Sequence, residues 1–527
     1  MNQPFKEFRS LAIDASAGCG KTEMLGVRLV GMLLADPEQL PSIVTMTFTR
    51  AAAAEILERL LELLYGAALD EKRLLQLKRQ LAAMDGGASR DELTAEMARL
   101  LLQKVVGALN ELKISTLDSF MAGIVQVFPM ELGLPGEVSM LSEAESRSIQ
   151  EQLLRRLFND EVDLDSDDDF IELCKEASFG NEDKVIFASC NELVGRTMKF
   201  FGRRDEDSVW RHWSRFEPTS AEALEQAWRT CRDFADWPPR YFGGPLEAAL
   251  LACRRAGRET KFSRETKTVM RAFFRVWDDF LTGGAKPEGF AQKYLYPPEL
   301  RQAIEALFGH GRDILLYQAG RRTEGMQKLL QRYTRLYRRE VLEKGRMAFE
   351  DLPRLLTDDG NEWRYDIDYR LNARLKHYLV DEFQDTSREQ WQVLQSIIDD
   401  VHDGEHSLFL VGDVKQAIYG WRSGDSRLMN EVIAALQLEQ DELRRSFRYG
   451  PEICRALNLL FGPESIGRSA LPPETAERWR RGWKMHEAAN PDRAGEFQAI
   501  LVCEGAANAS PVGNYAAVIL AKLREIG

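Results

Sequence analysis

The chain has 527 residues, of which 44% are apolar and 29% charged. At roughly 150 residues per domain that length predicts three or four domains, and the balance excludes a disordered, collagen-like or coiled-coil chain as a whole. With 70 basic and 83 acidic residues the formal charge is −13, which excludes a uniformly basic nucleic-acid coat but permits local basic grooves. No stretch approaches 18 uncharged apolar residues, so no membrane span is expected. The opening Met1-Asn2-Gln3-Pro4-Phe5-Lys6-Glu7 lacks the apolar core of a secretory signal. Seven cysteines stand far apart with no Cys-x-x-Cys pair, and read as reduced, mostly buried thiols. The expectation is a cytoplasmic, multidomain protein of enzyme size.

Along the chain, short apolar runs that fit buried parallel strands fall only near its two ends. They are Leu11-Ala12-Ile13, Ile43–Thr47, Lys113–Thr116, Tyr378-Leu379-Val380 and Leu408–Val411. Each leads through a turn into a helix-period pattern, the βα grammar of a parallel sheet covered by helices. Between about 136 and 345 the pattern changes to helical spacing, in Glu143–Phe158, Ala221–Asp236 and Ile314–Leu342. That middle reads as a helical insertion into an α/β domain. Within it, 160–169 holds seven acids but neither the glycine nor the distal glutamate of a calcium loop, so it reads as a solvated acidic loop. Residues 254–275 carry eight Arg or Lys against two Glu, and fit either a solvated helix face or a phosphate-tracking one. Towards the end, 495–503 alternates like a strand and 513–525 reads as a helix. One strand and one helix cannot cover a parallel sheet, so a further domain is expected to be cut short here.

The chemistry begins after the first strand, where Ala15-Ser16-Ala17-Gly18-Cys19-Gly20-Lys21-Thr22 opens a helix. This is a phosphate-binding loop with alanine in place of its first glycine. Small residues let consecutive backbone N–H groups wrap phosphate oxygens at a positive helix N-terminus. Lys21 would neutralise the β- and γ-phosphates of ATP, and the Thr22 hydroxyl would hold Mg²⁺. Such a loop needs a carboxylate from another strand, and Leu379-Val380-Asp381-Glu382 supplies one where the sheet's carboxyl edge should meet the nucleotide. Asp381 would bind the metal; Glu382 would orient and deprotonate the attacking water.

Taken together, the motifs resemble those of the UvrD/Rep-type superfamily 1 DNA helicases, in the family's order. Thr47–Glu55 resembles motif Ia, Ser115–Phe120 motif Ib, Asp381–Thr386 motif II, Val411–Arg422 motif III and Leu443–Arg448 motif IV. The loop at 15–22 and Phe128–Leu134 are similar to the RecB/AddA branch, the helicase subunits of recombinational exonucleases. The resemblance implies an ATP-dependent 3′-to-5′ single-stranded DNA translocase or helicase in recombination or break repair. Its implied partners are single-stranded and duplex-end DNA and a second helicase or nuclease subunit. By the same resemblance Phe48, Tyr419 and Trp421 would stack bases, which aromatic faces do without regard to sequence. Thr47, Thr116 and Ser119 would donate to the DNA backbone. Gln416 would sense the γ-phosphate, Arg448 would contact it as charge develops there, and Phe447 would cover the adenine. The DNA motifs depart from the family at Arg50, Ala51, Asp118, Val414 and Ser446, and an acid such as Asp118 is unfavourable near phosphates unless it points away.

The expected architecture is a P-loop, RecA-like parallel sheet with a large, mostly helical inserted domain and the start of a second RecA-like domain. The first motor domain would comprise 1–55, 111–135 and 346–462; the accessory insertion 56–110 and 136–345; and 463–527 the beginning of the second, truncated. The family's late motifs, with a further arginine for the phosphates, lie downstream of this sequence. Residues 1–527 alone are therefore expected to bind nucleotide, turn it over slowly and leave duplex unwound. A different class also fits: a nucleotide-gated DNA-binding scaffold whose motor is degraded. A small-molecule P-loop kinase would explain the loop and Asp381 but leaves 383–386 and 411–422 without a purpose.

Overall fold

In the computed structural model, described over residues 9–84, 92–158, 183–197, 219–234, 244–282, 296–357, 370, 375–398, 406–417, 425, 427–466 and 473–495, the five apolar runs become strands. These are β1 (Leu11–Ala15), β2 (Ile43–Thr47), β3 (Lys113–Thr116), β4 (His377–Val380) and β5 (Ser407–Gly412). A sixth, β6 (Glu439–Leu443), completes one sheet of order β3-β2-β4-β5-β1-β6, every pairing parallel. Strands β2, β4 and β5 are buried at every residue. That is why they read as continuous apolar runs, since both faces of a parallel sheet are covered. β6 escapes sequence reasoning, because Glu-Gln-Asp-Glu-Leu on an exposed sheet edge has neither an apolar run nor a two-residue period.

Helices α1 (Lys21–Ala35), α2 (Arg50–Leu69), α3 (Glu71–Met84) and α4 (Ala95–Gly107) bury their apolar faces in the sheet's own core, with Leu29, Ile56, Leu60, Leu77, Leu101 and Phe409 among the enclosed side chains. The sequence pattern groups 56–110 with the helical insertion. These helices belong instead with the sheet, because their stripes of Leu and Ile close over it. α1 also carries a buried arginine: Arg28 is 1% exposed, lies 4.3 Å over the Phe409 ring and donates to the Arg9 carbonyl. Helix α5 (Leu117–Val127) follows β3 directly.

The chain divides into two compact units, Met1–Leu132 with Leu355–Gly527, and Gly133–Arg354. The first holds the sheet; its later elements include the helices Arg388–Ile397, Pro451–Phe461 and Pro473–Gly482. The second is helical, and its longest helix, Pro298–Glu340, runs 43 residues, about 64 Å at 1.5 Å per residue. Helices Ala221–Arg232, Pro245–Arg255 and Arg264–Phe274 pack on it around Phe273 and Phe308, whose ring centroids are 5.0 Å apart. In the basic stretch 254–275, Arg254 pairs with Glu225 and lies over Trp228, so it serves packing, while Arg264 and Arg271 are exposed. All five described cysteines are buried and free of disulfides. Among the described helices none is long and apolar enough to cross a membrane. The acidic loop at 160–169 and the tail from 496, with its expected strand and helix, lie outside the described residues.

Candidate nucleotide and DNA site

Sheet order places the site. Parallel strands carry their carboxyl ends to one edge, and there β1 delivers the loop 15–22, β4 delivers Asp381 and Glu382, and β5, lying between them, delivers 413–416. On the far side of β4, β2 and β3 bring Thr47 and Thr116 into register with each other.

The phosphate loop has the backbone its residue types permit. Gly18 (φ +75°) and Gly20 (φ +86°) are both left-handed, a region open to glycine and costly for other residues. A Cβ on Gly18 would also lie 2.5 Å from the Arg448 Cβ. The segment 446–448 is thus seated on the loop: the Phe447 amide donates to the Gly18 carbonyl at 2.8 Å, and the Phe447 ring, 64% exposed, borders Gly20. Arg448 itself is exposed beside it. Ala15, Ser16 and Cys19 are buried, Ala17 and Thr22 half-buried. Burial, and after it the charge of Asp413, pushes the Cys19 thiol up to about 11, so it is an inert filler of the loop.

Lys21 and the motif II acid Glu382 meet across 361 positions: Lys21 Nζ lies 2.6 Å from Glu382 Oε2. Glu382 adopts a left-handed backbone (φ +52°), sparsely populated for a side-chain-bearing residue. Its amide donates to the neighbouring Asp381 Oδ1, and Gln384 Nε2 donates to Glu382 Oε2 at 2.6 Å. Asp381 is 5% exposed; burial, then the adjacent Glu382 charge, raise its carboxyl to about 6, and Lys21 opposes them. Asp385 is raised to about 6 for the same reasons. A buried carboxylate held against its preference beside a second acid is the setting that a divalent cation relieves. With the glycine-built loop opposite, the residues present fit a magnesium-bearing triphosphate.

That burial has a measurable cost. Asp381 binds its proton more tightly folded than unfolded, so stability falls as pH rises from about 4 to 6 and the penalty stays in full above that. Asp381→Asn keeps an acceptor for the Glu382 amide and removes the charge. It is expected to stabilise the first unit at pH 8 by about 1–3 kcal/mol, the gain vanishing near pH 4, while abolishing Mg²⁺-dependent nucleotide binding. Paired thermal melts of the two proteins across pH check the sign.

Gln416, the expected γ-phosphate sensor, donates to Asp413 Oδ2 at 2.7 Å, and the Asp413 amide in turn donates to Gln384 Oε1. The DNA-side set is less uniform. Phe48 is half-buried. Thr47 is 1% exposed, and its hydroxyl has no hydrogen-bond partner among the described residues. Thr116 caps α5: its Oγ1 accepts from the Ser119 amide at 3.1 Å and bonds the Ser119 hydroxyl, which occupies both side chains locally. Asp118, the unfavourable acid, is engaged within the protein and accepts at 2.8 Å from Gln390, in the capping box that opens the helix after motif II. Tyr419 and Trp421 lie outside the described residues. Sequence reasoning gave no role to Gln384, Asp413 and Lys415, the connectors among these elements, although all three lie inside motifs II and III.

A family model described as UvrD/REP helicase N-terminal domain matches residues 4–437. Proteins named as the A subunit of an ATP-dependent helicase/nuclease are also similar. That of Streptococcus equi subsp. zooepidemicus is 24% identical over 508 residues, covering 87% of this chain and 38% of its own length. That of Anoxybacillus flavithermus is 24% identical over 520 residues (89% and 40%), and that of Bacillus anthracis 21% over 496 (86% and 38%). The chain spans about two-fifths of the length of the curated relatives it matches. With the matched region covering most of its residues, the chain belongs to the UvrD/REP helicase family, in its N-terminal domain.

Proposed function

We propose, for a chain of the UvrD/REP helicase family, that the first unit is the ATP-binding half of a motor that moves 3′ to 5′ along single-stranded DNA in recombination or double-strand break repair. The observation that carries this reading is the 2.6 Å Lys21–Glu382 pair at the mouth of a glycine-turned loop. Lys21 would turn from Glu382 to the phosphates, the stronger anion, through charge-assisted hydrogen bonds. Glu382, so released, would accept the proton of the attacking water. Thr22 and Asp381 would hold Mg²⁺, which when bound neutralises phosphate charge. Arg448 and Phe447, seated on the loop, would meet the γ-phosphate and the adenine, and Gln416 would report the γ-phosphate to the DNA side. There, Phe48, Tyr419 and Trp421 would stack bases.

The ordered ATP side favours a working motor over a scaffold with a degraded one. The relatives are named as one lettered member of a helicase/nuclease, which supports a second subunit in partnership, with single-stranded DNA and duplex ends as the substrates. The test of direction uses the full protein on duplexes with a 3′ or a 5′ single-stranded tail. Displacement from the 3′-tailed duplex alone, requiring ATP, is the expected result. ATP hydrolysis indifferent to single-stranded DNA would favour the scaffold.

A further inference from the structure

Four polar side chains of the first unit have no part in the mechanism above, yet they close a circuit around it. Starting on the phosphate loop, the Ser16 hydroxyl accepts from Lys415 Nζ at 2.9 Å. Lys415 Nζ lies 3.5 Å from Asp413 Oδ1, which also accepts the Lys415 amide at 3.0 Å. The Asp413 amide donates to Gln384 Oε1 at 2.9 Å, and Gln384 Nε2 donates to Glu382 Oε2. Glu382 returns to the loop at Lys21. Every member is shielded: Ser16 is 4% exposed, Gln384 and Asp413 2%, and the Lys415 side chain 14%. Nor is there slack at the centre, since a Cβ on Gly412 would lie 2.8 Å from Gln384 Oε1.

We propose that Lys415 is a positioning residue of the nucleotide site: it straps the loop's leading edge, at Ser16, to the turn that carries Gln416, while Lys21 straps the trailing edge to Glu382. A lysine is placed well for this. Its ammonium has three donors, and here it spends them on a neutral hydroxyl and a buried carboxylate rather than on solvent. Shielded hydrogen bonds with two discrete partners are the elements through which one site biases another. A triphosphate that draws Lys21 from Glu382 leaves that carboxylate held by Gln384, and any turn it makes passes to the Gln384 amide. The change then reaches Asp413, which holds both Lys415 and Gln416. The strap keeps the loop and the 413–416 turn moving as one, so that nucleotide and DNA affinities are linked. This rests on the functional reading above and adds to it a residue that touches neither ligand.

The test measures the affinity of the 527-residue chain for oligo-dT with and without a non-hydrolysable ATP analogue, and for the analogue alone. Coupling between two sites is commonly about 5–150-fold. In wild type the analogue should change oligo-dT affinity within that range. Lys415→Met should reduce the factor at least about fivefold and leave oligo-dT affinity without nucleotide within about twofold, while the melting temperature falls because buried Asp413 loses its cation. Lys415→Arg should restore it, and Ser16→Ala should lower the factor alone yet add nothing to Lys415→Met. A merely structural lysine would instead lower both affinities together and leave the coupling factor unchanged. Coupling within about twofold of wild type in both Lys415→Met and Ser16→Ala overturns the strap while leaving the functional reading intact. Absence of analogue binding by wild type overturns both.

Discussion

Glu382→Gln is expected to slow ATP turnover by about 10²–10⁴-fold while the protein still binds nucleotide, because a positioned general base contributes on that scale. The substitution is close to isosteric. Its amide oxygen can still accept from Gln384 Nε2, so the circuit through Gln384 survives. What it loses is the proton-accepting charge and the 2.6 Å ion pair with Lys21. Lys21 is then free for the phosphates, and ATP affinity should rise or stay level rather than fall. Single-turnover hydrolysis and titration with a fluorescent ATP analogue separate the two effects. A variant that keeps more than a tenth of wild-type turnover assigns the base elsewhere.

Lys21→Met carries the second large effect, with the opposite signature. The methionine keeps the stem and loses the cation that opposes the raised carboxyls of Asp381 and Asp385. Both groups then move further up, and nucleotide must approach three acids without a neutralising partner. Loss of a donor to developing charge typically costs about 10²–10³-fold in rate; here ATP affinity should also fall by about 10²-fold or more. Lowering the pH towards 5.5 should not recover that affinity, because protonating Asp381 relieves the repulsion only by removing the metal's carboxylate. Titrations at pH 5.5 and 8 check this, and equal affinities for variant and wild type would remove Lys21 from the site.

Much of this was legible in the residues because the physics is local. A loop that needs left-handed glycines, a strand that must be apolar until it ends in acids, and helices with one greasy face announce themselves by spacing. Five of the six sheet strands did so. β6 did not, since an edge strand need only pair its backbone, and its charged side chains face solvent. α2–α4 carried the amphipathic pattern of any surface helix, which cannot say what the apolar face covers. Gln384, Asp413 and Lys415 lie inside motifs II and III, but their role was hidden for another reason: it rests on hydrogen bonds between distant positions, set by rotamers rather than by spacing. Thr47 and Thr116 show the converse. Their hydroxyls suit a DNA backbone by type, and spacing alone does not tell that the strand encloses one and a helix cap engages the other.

The most direct test is a crystal structure of the chain with Mg²⁺ and a non-hydrolysable ATP analogue. The account predicts the triphosphate in the cradle of 15–22, Lys21 on its phosphates and no longer on Glu382, and Asp381 facing the metal. A nucleotide bound away from that loop, or one that leaves the Lys21–Glu382 pair intact, would contradict it.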